Sequence, residues 1–74
     1  MISLERTRVK SGTIRSIAYE ESEQILEIDF HHGGTYRYFG VPKNIYDNFI
    51  KSESSYGQYH DRRIKNRYRH EKIA

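Results

Sequence analysis

The chain has no cysteine, a single proline and a single methionine among 74 residues. Without cysteine there is neither a disulfide scaffold nor a thiolate zinc site, the two usual supports of very small secreted domains, so a cytoplasmic location is the simple expectation. Long apolar runs are also lacking. The first ten residues carry Glu5, Arg6, Arg8 and Lys10, a composition that fits neither a signal peptide nor a membrane span, and no membrane partner is expected. Internal repeats, low-complexity tracts and linkers are absent. The length allows one domain, residues 1–74, with residues 1–8 and 72–74 as loose termini, and leaves no room for a deep catalytic cleft. Broadly apolar residues make up 35% of the chain, but seven of them are tyrosines whose hydroxyls need water or a partner. The predicted core is therefore thin.

Charge is what the chain has in quantity. The net +3 is distributed unevenly: +3 over residues 1–15, −5 over 16–30, +1 over 31–59 and +4 over 60–74. A basic C-terminal segment suits nucleic acid, phosphate or another anionic partner, and it equally suits pairing with the acidic middle of its own or a neighbouring chain.

Residues 13–19 are rich in β-branched and aromatic types, with Ile17 and Tyr19 on one face and Ile14 out of step, which predicts a strand with a bulge. Leu26, Ile28 and Phe30 alternate with Glu27 and Asp29 in the period of a half-buried strand. The Gly33-Gly34 pair supplies positive φ for a tight reversal, and residues 35–39 form a third strand with Tyr36 and Tyr38 on one face and Arg37 on the other. Pro42 fits the first position of a helix on which Ile45, Tyr46, Phe49 and Ile50 make one stripe. Ser55 and Gln58 are spaced as a capping box for a second helix that runs from about Tyr56 into the basic tail. On that helix His60, Ile64 and Tyr68 fall in one line, and Arg62, Lys65, Arg69 and Lys72 gather on the opposite side. The expected fold is α+β: a three-stranded antiparallel meander followed by two helices packed on one sheet face. Leu26, Ile28 and Phe30 should meet Ile45, Phe49 and Ile64 in a shared core. The two open edges of such a sheet and its aromatic surface point to a homo-oligomer.

Catalytic and metal chemistry find little support. His31 and His32 are adjacent on a strand end and face opposite ways, and His60 and His70 on one helix stand about 15 Å apart. No metal site, cofactor or catalytic residue is assigned, and an enzyme is not expected. What remains is tyrosine interleaved with guanidinium: Tyr36, Arg37 and Tyr38, then Tyr59, Arg62, Lys65, Arg69 and Lys72. Aromatic faces stack bases and cations grip phosphates, so these eight are the candidate nucleic-acid-binding residues, while core packing and solvated charge account for the same residues structurally.

The order Ser16-Ile17-Ala18-Tyr19, Leu26 to Phe30, Tyr36-Arg37-Tyr38, Val41-Pro42, Ile45-Tyr46, then Ser55, Gly57 and Tyr59 before Ile64 and Tyr68 resembles the KTSC domain family. That family is named for an extension at the C-terminus of some lysyl-tRNA synthetases and also occurs as small stand-alone bacterial or phage proteins. The likeness spans about Val9 to Ile73; where the pattern has an aromatic and then asparagine after Tyr59, this chain has His60 and Asp61. The resemblance implies a compact α+β domain with RNA as its partner. Three functions are consistent with these residues: an RNA-binding module, a homo-oligomeric binder of a nucleotide ligand, and a protein-interaction module of the kind a phage-encoded family member would supply.

Overall fold

The computed structural model describes residues 6–52 and 55–74. Its sheet has five antiparallel strands in chain order: β1 Arg6–Arg8, β2 Ile14–Glu20, β3 Ile25–Phe30, β4 Gly34–Phe39 and β5 His70–Lys72. Helix α1 spans Lys43–Ile50, and α2 spans Tyr56–Tyr59 before continuing as a π-helical turn over His60–Ile64. The α+β class and the three central strands agree with the sequence pattern; the two outer strands and the early end of α2 correct it.

The expected bulge lies between Ile14 and Ser16. Ile14 pairs with Phe30 and Ser16 with Asp29, so Arg15 is the extra residue. That insertion reverses the alternation once, which is how Ile14 and Ile17 can both be fully buried although they are three apart. Leu26, Ile28, Phe49 and Ile64 share the core with Ile14, Ile17 and Tyr38, and Phe30 and Ile45 pack against it. Tyr19 and Tyr46 stack with centroids 4.5 Å apart, and the Tyr19 hydroxyl donates to the Val41 carbonyl at 2.6 Å. Aromatic packing thus ties α1 to the sheet.

Pro42 stands one residue outside α1, and its carbonyl accepts from the Ile45 and Tyr46 amides. The capping box does not form, for Ser55 is the N-cap of α2 but its side chain makes no capping hydrogen bond. The helix then stops well short of the tail. Lys65 N–H donates to the His60 carbonyl across a π turn, Lys65 is extended, and Asn66 takes φ +64, a left-handed conformation asparagine tolerates better than most residues. The chain reverses, and β5 pairs with β4 in the register Tyr36 with Lys72 and Tyr38 with His70. The pairing continues to the end of the chain, where Thr35 N–H donates to Ala74 and Ile73 N–H to Thr35. Gly34 is required here on two counts: its φ is +91, and a Cβ would collide with the Ala74 carbonyl.

These outer strands cover what would have been the open edges of β2 and β4. Each is only three residues long and exposed, and together they carry Arg6, Arg8, Glu71 and Lys72, the short charged form in which sheet edges resist further pairing. Among the described residues, no helix is long and apolar enough to cross a membrane.

Candidate functional site

The sheet has two chemically different faces. On the face away from the helices, one row crosses four strands: Arg6, Ala18, Glu27 and Arg37 are successive cross-strand partners. Ala18 is small enough for Arg6 to reach over β2, so Arg6 Nη2 meets Glu27 Oε1 at 2.5 Å while Arg37 Nη2 meets Oε2 at 2.6 Å. The Glu27 side chain is only 4% exposed, yet both carboxylate oxygens are paired. Arg37 is therefore engaged in structure, on the opposite face from Tyr36 and Tyr38. Arg69 shares its side of the sheet, its guanidinium 5.0 Å from the centre of the Phe39 ring.

On the helical face, at the β4–β5 edge, five rings touch in a closed circuit. Phe30 meets Tyr36, Tyr36 meets His70, His70 meets Tyr38, Tyr38 meets His60 and His60 meets Phe30, with centroid separations of 5.1–5.9 Å. They line a cavity of about 300 Å³. Tyr38 and His60 are its buried members, and the exposed residues His32, Lys65, Asn66 and His70 form its rim. Lys72 sits across the ladder from Tyr36, so it projects from the same face of the sheet.

Polar geometry at the buried side of this cavity is well defined. Tyr38 Oη and His60 Nε2 lie 2.7 Å apart, and His60 Nδ1 lies 3.4 Å from the Asp61 carboxylate. Burial pushes the His60 pKa below its ordinary value, and the opposing pull of Asp61 is smaller. A neutral ring with its proton on Nδ1 faces the carboxylate favourably, and Nε2 then accepts the Tyr38 hydroxyl proton. Burial likewise drives the Tyr38 phenol up to about 12, with Tyr36 and Asp61 adding to the shift. Tyr38 thus stays a hydroxyl across the physiological range.

Of the eight residues singled out in the sequence, Tyr36, Tyr38 and Lys65 line this cavity and Lys72 adjoins it. Arg62 and Tyr59 lie apart, in a separate hollow of about 250 Å³ with Ser55, Gln58 and Arg63. Tyr59 is largely structural: it stacks on Phe49 and donates to the Ile45 carbonyl at 3.3 Å. The cationic helix face does not exist, because Arg69 and Lys72 lie beyond the helix end. Helical spacing also hid the histidines. His60 and His70 both touch the Tyr38 ring, His60 at 5.6 Å and His70 at 5.4 Å, because the chain reverses between them. The one local signal of that reversal is Asn66 following Lys65, a left-handed stop after a helical run. His31 plays no part in the cavity; its Nε2 lies 2.9 Å from the Ser11 carbonyl oxygen. Among the described residues, no cluster of three His, Asp or Glu side chains is placed to hold a metal ion.

Comparison with known proteins agrees with the fold and its motifs. The KTSC domain model matches residues 10–68. A protein of Tsukamurella paurometabola is 36% identical over 61 residues, covering 82% of this chain and 90% of that protein. A lysine–tRNA ligase of Nostoc punctiforme is 27% identical over all 74 residues, which correspond to 13% of the ligase. The crystal structure of a KTSC domain protein from Yersinia pestis superposes with a TM-score of 0.92 at 38% identity, covering 97% of this chain and all of that one. The chain belongs to the KTSC domain family.

Proposed function

We propose that this domain is a non-catalytic module for single-stranded RNA, which seats one unstacked base at the Tyr36–His70 side of the cavity while Lys65 and Lys72 meet the adjoining phosphates. The observation that carries the reading is the five-ring cavity with Lys65 on its rim and Lys72 across the ladder from Tyr36, the combination of stacking surface and positive charge that single-strand binders use. Charge pairing supports it as well. Glu27 and Asp29 of the acidic segment are answered by Arg6, Arg15 and Arg37, and among the described residues Arg62, Arg63, Lys65, Arg67, Arg69 and Lys72 form no ion pair with that segment. The basic C-terminal segment therefore keeps its charge available to an external anion. The relationship to a region of lysine–tRNA ligases makes RNA a fitting partner.

Fluorescence anisotropy with single-stranded, hairpin and duplex RNA tests this. Single strands should bind best, and the logarithm of the binding constant should fall with log salt by roughly 0.7 per phosphate contact, giving a slope of about −1.4 for Lys65 and Lys72 alone. Lys65→Glu should flatten the slope by about 0.7 and weaken all sequences alike, because phosphate contacts position without specifying. No measurable binding to any of the three RNAs at 50 mM salt would end the proposal.

A further inference from the structure

We propose that the cavity selects a nucleobase carrying an exocyclic amino group, with Tyr38 Oη as the acceptor that reads it; this deepens the RNA-binding reading and rests on it. The cavity, about 300 Å³, is at the low end of small-molecule sites, suited to one planar ring system rather than a larger ligand. Its walls are aromatic, and its rim carries the ammonium of Lys65. Of the polar groups that line it, His32, Asn66 and His70 sit on the exposed rim, and Tyr38 Oη is the buried one whose polarity its neighbours fix.

The fixing runs inward from Asp61. Its carboxylate faces His60 Nδ1, which places the single ring proton there and leaves Nε2 as an acceptor. The Tyr38 hydroxyl, 2.7 Å away, commits its only proton to Nε2. The phenol oxygen keeps its remaining lone-pair capacity and has no proton to offer, so it meets a ligand as an acceptor. An amino group of adenine or cytosine complements it. Uracil presents its one N–H between two carbonyl oxygens, and those would face the phenol oxygen unfavourably. A base without any donor on that edge would leave the acceptor capacity of Tyr38 Oη unused, its proton still on His60 Nε2.

Adenosine 5′-monophosphate and purine riboside 5′-monophosphate make a clean pair, differing only in the amino group. Binding followed by amide and histidine ring shifts in NMR titrations should be about tenfold tighter for the adenine nucleotide, the size of one net hydrogen bond. The shifts should centre on His60, His70 and Tyr36. Tyr38→Phe keeps the ring and removes the acceptor, and it should bring the two nucleotides within about twofold of each other. If that variant does not fold, the wild-type comparison decides alone, and exposed His70→Ala should weaken both nucleotides equally while keeping their ratio. Equal affinity of the two nucleotides for the wild type, no binding of either, or shifts mapping away from the cavity would overturn the inference. Oligo(A) and oligo(U) titrations separate the two readings: RNA bound without base preference removes the inference and leaves RNA binding standing. Adenine nucleotide selected in the cavity with no oligonucleotide bound does the reverse.

Discussion

The Arg6–Glu27–Arg37 row offers the sharpest energetic test of the fold, because its three members differ so much in exposure. Glu27 is 4% exposed, whereas Arg6 is 44% and Arg37 32% exposed. A buried carboxylate cannot return to water, but both guanidiniums can. Each arginine serves a different oxygen, so Arg6→Ala or Arg37→Ala strands one half of the carboxylate; an unsatisfied buried acceptor costs about 1–3 kcal/mol, and the exposure of the arginines puts the singles at the lower end, about 1–2 kcal/mol. Removing both leaves an uncompensated buried charge, for which about 3–5 kcal/mol is typical. Glu27→Leu instead frees two side chains that reach solvent and fills the site with apolar volume, so it should cost no more than about 1 kcal/mol. Total stability for a chain of this length is roughly 4–11 kcal/mol, which makes these differences large. Urea unfolding followed by circular dichroism at pH 7 should rank the double variant far below both singles, and Glu27→Leu nearest the wild type. A double variant no worse than Glu27→Leu would show that the carboxylate is not held by these arginines, and the register of β1 would have to be wrong.

Leu26→Ala should cost about 2–5 kcal/mol in the same assay, since Leu26 is fully buried in the central strand. Gly34→Ala should lose about 1–3 kcal/mol through its positive φ and its clash with the Ala74 carbonyl, and hydrogen exchange at the Thr35 and Ile73 amides should rise before exchange in β3 does. His60 gives a pH dependence of definite sign. Its folded pKa lies below the unfolded value of about 6.5, so above that pH both states are neutral and nothing is lost; as pH falls through it the unfolded chain takes the proton first and stability declines until the folded ring titrates. His60→Gln should reduce the decline between pH 7 and 5, and an unchanged pH profile in that variant would show that His60 is not the group responsible.

The parts of the fold legible in the sequence are those whose burial imposes a period. Leu26, Ile28 and Phe30 alternate because one face of β3 meets the helices, and Ile45 with Phe49 repeats at helical spacing for the same reason. Even the bulge was visible, as Ile14 out of step with Ile17. Strands β1 and β5 have no such signature. Arg-Thr-Arg and His-Glu-Lys are exposed along their length, and they are held by backbone pairing, by Arg6 on Glu27 and by His70 on two tyrosine rings. Polar partnerships of that kind leave no periodicity. In the tail, the four-residue spacing of Ile64 and Tyr68 predicts one continuous helix with both facing the core; both do pack toward the core, but with a reversal at Asn66 between them.

The same helical spacing conceals the candidate site, and the reason is geometric. A continuous helix would carry His70 away from His60 by about 1.5 Å per residue, leaving Tyr36 and Tyr38 on an uncovered edge. Ending the helix at Ile64 lets the chain return beside β4, where antiparallel register sets His70 opposite Tyr38 and Lys72 opposite Tyr36. One strand of three residues thus closes the ring circuit, sets Lys72 beside Tyr36 on the same sheet face and protects the β4 edge. The tyrosine pair legible in the sequence is half of the arrangement; the histidines that complete it come from either side of the reversal. The chemistry resides in the contact between β4 and the tail, so a substitution that weakens β5 pairing, such as Gly34→Ala, should impair binding at the cavity even though Gly34 provides no side chain to it.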